Sequence, residues 1–105
     1  MIADYDDRTG VYNRHAFERD CALFENKKLP EYFTCLAFDV NGLNEINRTL
    51  GIAAGDEMII GAAECLSTCF GDKGKIYRIG GDEFTIIMQN VSYEMAQKMV
   101  DMLNG

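Results

Sequence analysis

Polar and apolar positions follow two different periods along this chain, and the places where the period changes mark its elements. Near the N-terminus Phe17, Cys21 and Phe24 recur at helical spacing behind Asn13, a residue suited to capping. Lys27 and Lys28 suit the C-terminal dipole of that helix, and Pro30 stops it. Residues 32–38 form an apolar, aromatic and β-branched run without helical period, which predicts a buried strand closed by Asp39. Leu43, Ile46 and Leu50 predict a short helix ended by Gly51, and Gly55-Asp56 opens a longer one. In the longer helix Ile59, Ala62, Ala63, Leu66, Cys69 and Phe70 make a continuous face, with Gly71 as its C-cap. Residues 75–79 and 84–88 predict two strands around a turn in which Gly80 and Gly81 supply the positive φ of a tight hairpin. Ser92 caps a last helix with Met95, Met99, Val100 and Leu103 facing inward.

The order α, β, αα, β, β, α matches a ferredoxin-like βαββαβ plan, an α+β arrangement with helices packed on an antiparallel-containing sheet, whose final strand is missing. In that plan the missing strand pairs beside the first one, so one edge of residues 32–38 is expected to be open. An open apolar edge invites association. The pattern therefore predicts either a domain shortened at its C-terminus or an edge covered by a partner chain. No repeat, low-complexity tract or linker divides residues 1–105, which read as one domain.

Composition narrows the function. The hydrophobic share of 48% supports a folded core, and the net charge of −7 opposes non-specific binding to nucleic acid, because few cations are available to displace counterions. No stretch approaches a membrane span, and Asp4, Asp6 and Asp7 deny the N-terminus the character of a signal peptide, so the chain reads as soluble and cytoplasmic, without membrane contact. Cys21, Cys35, Cys65 and Cys69 form no C-x-x-C pair and read as reduced and mostly buried. His15 sits in a helix that needs no titrating group.

Two adjacent acids at a hairpin tip, Asp82 and Glu83, need an explanation that the turn does not supply. In the predicted plan the first strand neighbours the hairpin, which brings Asp39 toward them. A solvated tip explains either site alone. Taken together, three converging carboxylates would repel one another, and a Mg²⁺ ion, which prefers hard oxygen ligands and keeps several waters, removes that conflict. Asp39-Val40-Asn41-Gly42 is a poor match to an EF-hand calcium loop, since its glycine falls at loop position 4 instead of 6.

Arg78-Ile79-Gly80-Gly81-Asp82-Glu83-Phe84 resembles the signature of GGDEF-domain diguanylate cyclases, palm-type nucleotidyl cyclases that join two GTP molecules into cyclic di-GMP. Residues 6–14, Asp-Asp-Arg-Thr-Gly-Val-Tyr-Asn-Arg, resemble the stretch that opens those domains, and residues 38–56 resemble their second motif block in spacing. The resemblance implies that Asp39 and Asp82 bind Mg²⁺ (or Mn²⁺) through side chains and Val40 through its carbonyl. It implies that Glu83 acts as a further metal ligand or as the base for the ribose 3′-hydroxyl. Gly80 and Gly81 would admit the nucleotide, and Asn47 with Asp56 would read guanine, the carboxylate accepting from N1 and N2 and the amide donating to O6. It further implies catalysis in a two-fold homodimer, one GTP per protomer, and a sensory or regulatory domain within a larger signalling protein. Arg78 takes no assigned role.

Several positions depart from that pattern. Asn44 stands where the family usually has a lysine near the phosphates, Asn41 replaces the second aspartate of D-x-D, and Ile52 replaces a histidine. The product-inhibition motif R-x-x-D would begin and end at Gly71 and Gly74, so no product site is expected there. The chain stops at Gly105, before the family's last strand-helix segment. These departures leave a second reading beside the cyclase: a catalytically silent GTP-binding or protein-interaction module of a signalling protein.

Overall fold

The computed structural model describes residues 3–25 and 33–104. Their elements are α1 (Arg14–Glu25), β1 (Phe33–Asp39), α2 (Leu43–Leu50), α3 (Ile52–Phe70), β2 (Gly74–Arg78), β3 (Glu83–Gln89) and α4 (Tyr93–Asn104). Asn13 caps α1 as expected, its Oδ1 accepting from the Ala16 amide at 2.9 Å. Lys27, Lys28, Pro30 and Tyr32 lie outside the described residues.

The three strands form one antiparallel sheet in the order β1-β3-β2. Being central, β3 is covered on both faces, which is why it reads as a nearly unbroken apolar run. Phe84, Ile86 and Met88, with Ile76 of β2, pack against Ile59, Ala63, Leu66 and Phe70 of α3 and Ala96 of α4. On the opposite face Tyr77 and Ile87 meet Ala16, with Phe17, Cys21 and Phe24 of α1 around them. Substituting alanine for a fully buried aromatic such as Phe70 or Phe84 in the larger cluster removes packing worth about 3–5 kcal/mol.

β1 pairs with β3 alone among the described strands, so it is an edge strand, in agreement with the open edge the plan predicts. It is not the buried strand expected from its composition. Leu36 and Phe38 pack on the core, whereas Cys35 and Ala37 are exposed, because α1 sits over β2 and leaves the second face of β1 uncovered by described residues.

Other expectations shift by small amounts. α3 begins at Ile52, three residues before Gly55, and Gly51 at φ 93° serves as the joint between α2 and α3. The apolar residues on either side of that joint, Leu50 at 69% and Ile52 at 70% exposure, belong to the surface. Gly71 does cap α3, but in a right-handed conformation. Ser92 Oγ accepts from the Met95 amide at 3.2 Å, capping α4 as expected, yet Met95 itself is 46% exposed and Ala96 takes the core position instead. The four cysteines are free thiols, but none is fully buried: Cys35 and Cys65 are exposed, and Cys21 and Cys69 are half-buried.

The hairpin differs most instructively. Neither Gly80 nor Gly81 has a positive φ, a conformation that the described residues adopt only at Gly10, Gly42, Gly51 and Asn90. The Ile79 amide donates to the Glu83 carbonyl at 2.9 Å, so residues 80–82 reverse the chain as a three-residue loop, and no two-residue primed turn forms. No described helix is long and apolar enough to cross a membrane.

Candidate active site

The acidic hairpin and the end of β1 are joined by backbone. Asp39 stands opposite Glu83 in the antiparallel register, and the Val40 amide donates to the Asp82 carbonyl at 2.8 Å. Directly opposed residues share a face of the sheet, so the carboxylates of Asp39 and Glu83 leave on the same side. The chain then turns through Gly42, whose left-handed φ of 82° begins α2 and folds residues 41–45 back beside the hairpin. Together Asp39, Val40, Asn44 and Glu45 line an open concavity with Asp82 and Glu83, and no lysine or arginine contributes to its lining.

Three features bear on what this concavity holds. The side chains of Asp39, Asp82 and Glu83 make no hydrogen bond or ion pair among the described residues, although most other acids near the N-terminal turn do. The Val40 carbonyl likewise accepts no hydrogen bond from a described residue. The expected convergence of three carboxylates is only partial, however. Backbone pairing brings the residues together, but no three acidic, imidazole or thiol side chains among the described residues gather as one metal-ligating cluster. The unengaged ligand atoms are hard oxygens, those of three carboxylates and a carbonyl, and that chemistry suits a small divalent cation that keeps several waters.

The glycines of the tip are not demanded by the protein itself. A Cβ on Gly81 would meet nothing within 4 Å, and one on Gly80 would only touch the Glu83 side chain at 3.7 Å. With ordinary φ and open surroundings, both positions would accept alanine as far as the fold is concerned.

Asn47 in α2 and Asp56 in α3 lie on either side of the joint between the two helices. The Asn47 side chain rests on Gly55, where a Cβ would lie 1.7 Å from its Oδ1, so a side chain at residue 55 would push the Asn47 amide aside. Asp56 is the next residue. Its carboxylate is engaged by Arg8, with Nη1 at 2.7 Å from Oδ1. The sequence alone did not single out Arg8, since nothing local links a residue of the N-terminal turn to one 48 positions later.

Arg78 gains a role. Its Nη1 donates to Asp6 at 3.1 Å and its Nη2 to the Gly81 carbonyl at 2.9 Å, tying the hairpin tip to the N-terminal turn, while its buried Nε has no partner among the described residues. Asp6 also accepts from the Thr9 amide at 2.9 Å and hydroxyl at 2.8 Å. Burial alone would raise the Asp6 carboxyl, but the Thr9 hydrogen bonds and the Arg78 guanidinium outweigh it and hold the group below the usual carboxylate range. At the expected product-inhibition positions, a Cβ on Gly71 would approach the Ser67 carbonyl oxygen to 2.4 Å and one on Gly74 the Ile87 carbonyl oxygen to 2.5 Å.

An α+β domain with an antiparallel sheet, helices on both faces and an acidic hairpin pinned to the end of the neighbouring strand is of the palm type found in nucleotidyl cyclases. The family model described as diguanylate cyclase, GGDEF domain, matches residues 3–104, and the chain belongs to that family. It is 41% identical over 85 residues to the probable diguanylate cyclase DgcI of Escherichia coli K12, covering 78% of this chain and 18% of that protein. To the diguanylate cyclase DgcN of the same organism it is 35% identical over 91 residues, covering 86% and 22%. The GGDEF domain of DgcB from Caulobacter crescentus, solved in complex with c-di-GMP, superposes with a TM-score of 0.80 at 26% identity, covering 98% of this chain and 61% of that one. The chain thus spans about a fifth of these two curated relatives.

Proposed function

We propose that this chain is the catalytic part of a diguanylate cyclase that condenses two GTP molecules into cyclic di-GMP and pyrophosphate, with Mg²⁺ or Mn²⁺, in a two-fold homodimer. The observation that carries the reading is the backbone lock between the two acidic segments, Asp39 opposite Glu83 and the Val40 amide on the Asp82 carbonyl, beside carboxylates with no partner among the described residues. Asp39, Asp82 and the Val40 carbonyl would hold the cation, which when bound offsets charge on the triphosphate and on the attacking oxygen. Glu83 would complete that ligand set or accept the 3′-hydroxyl proton. Asn47 and Asp56 would read the base. Gly80 and Gly81 would leave room for the nucleotide, and Asn44 would face the phosphates without adding a cation.

In the reaction each ribose 3′-oxygen forms a bond to the α-phosphorus of the other GTP, the bond from that phosphorus to the β-bridging oxygen breaks, and pyrophosphate leaves. Each hydroxyl proton passes to a base of its own half-site. One domain holds one nucleotide, so two half-sites must face each other and a lone protomer is expected to be inactive.

The test is incubation of this chain, and of any longer natural chain that carries it, with GTP and Mg²⁺ or Mn²⁺, followed by chromatographic separation of the products. Cyclic di-GMP that disappears in Glu83→Gln supports catalysis. GTP binding without product in every form would instead establish the silent GTP-binding module, a reading that Asn44 favours by removing a cation, and absence of nucleotide binding would defeat both. Product inhibition at the position of Gly71 and Gly74 is not expected, because neither residue has a side chain to offer and each abuts a carbonyl oxygen. Calorimetric titration with cyclic di-GMP should accordingly give binding that does not depend on Asp72 or Gly71.

A further inference from the structure

We infer that Arg8 is an internal competitor for the base edge, occupying the Asp56 carboxylate until a guanine displaces it. The inference rests on the proposed role of Asp56 as acceptor for guanine N1 and N2. Toward a carboxylate, a guanidinium and the guanine N1/N2 edge are chemical equivalents, each presenting planar N–H donors. Arg8 makes one such contact, Nη1 to Oδ1 at 2.7 Å. The contact joins the N-terminal turn to α3 at Asp56, the residue after Gly55, on which the Asn47 amide rests.

The geometry also provides for release. The backbone around Arg8 is braced, with Thr9 bonded twice to Asp6 and Asp6 bonded to Arg78, so displacement needs only rotation of the Arg8 side chain. Arg8 lines an open concavity with Asp6, Asp7 and Arg78. Asp7 is exposed and makes no ion pair among the described residues, so it can receive the released guanidinium. The pair is partly exposed, 48% at Arg8 and 31% at Asp56, and such pairs are weak and screened by salt. The gate is therefore shallow, and it tunes affinity without blocking the site.

Binding of the α,β-methylene analogues of GTP and ATP, which cannot be cleaved at the reacting bond, tests this in the intact chain with Mg²⁺ present. Arg8→Ala should raise the guanine-over-adenine affinity ratio about two- to five-fold, the range expected for an exposed ion pair. The gain should vanish in the Asp56→Asn background and shrink as salt rises from about 50 to 300 mM. An unchanged or lowered ratio in Arg8→Ala, while Asp56→Asn still abolishes the preference for guanine, would overturn the competitor role alone and make Arg8 a support for Asp56. If Asp56→Asn leaves the preference intact, or neither analogue binds, the base-reading role falls and this inference falls with it.

Discussion

Glycine at residues 80 and 81 separates two reasons for using that residue. Where the backbone or the packing demands it, a side chain strains the fold, as at Gly42 with its left-handed φ or at Gly74, where a Cβ would lie 2.5 Å from the Ile87 carbonyl oxygen. Neither demand exists at Gly81, which has an ordinary φ and room for a methyl group with nothing within 4 Å of it. Gly81→Ala should therefore change unfolding free energy by less than about 0.5 kcal/mol, the range of neutral surface substitutions, while weakening GTP binding. Thermal denaturation paired with nucleotide titration checks this, and equal losses in both would show that the glycine serves the fold. Arg78 marks the limit of reading residues singly. Its motif position was evident in the sequence, but its bond to Asp6 depends on a turn 72 residues away.

At the scale of elements, local chemistry was mostly legible because it acts over three or four residues. Asn13 and Ser92 were recognisable as caps, and both accept the expected amide hydrogen bond. Asn13→Ala should cost about 0.5–2 kcal/mol of stability, measurable as a lowered denaturant midpoint at unchanged m-value. What misled were features set by neighbours. The composition of β1 suggested burial on both faces, but burial depends on which helix covers which face, and α1 lies over β2. The hairpin suggested a primed two-residue turn, but the reversal spreads over residues 80–82. In α4 Met99, Val100 and Leu103 pack on the core as expected, and Ala96 takes the one inward position expected of Met95.

For the whole molecule, electrostatics predicts the response to acid. Asp20, only 6% exposed, accepts from the Tyr77 hydroxyl at 2.5 Å and from Lys75 at 3.4 Å. Burial by itself raises the Asp20 carboxyl, yet the Tyr77 hydrogen bond and the Lys75 and Arg19 charges bring it below the ordinary value of 3.8, as happens at Asp6. Both folded-state values lie below the unfolded ones, so their contribution is fully present above the unfolded value and is lost as pH falls through the folded values. Melting temperature should be flat in these terms near neutrality and drop from about pH 4 downward, and Asp6→Asn or Asp20→Asn should flatten that drop. The same Asp20 bond, with burial as the larger cause, pushes the Tyr77 hydroxyl far above its usual range, so it does not titrate in this window.

By itself the sequence determined the order of elements, the two caps, the core face of α3 and the acidic hairpin with its family motifs, because each is encoded by spacing along a short stretch of chain. Tertiary structure alone decided which distant groups meet. It set Asp39 opposite Glu83, folded the Asn47 amide onto Gly55, gave Arg78 to Asp6, and put the Arg8 guanidinium on Asp56. Those pairings follow from strand register and helix crossing, which are properties of the packed sheet and of no local segment.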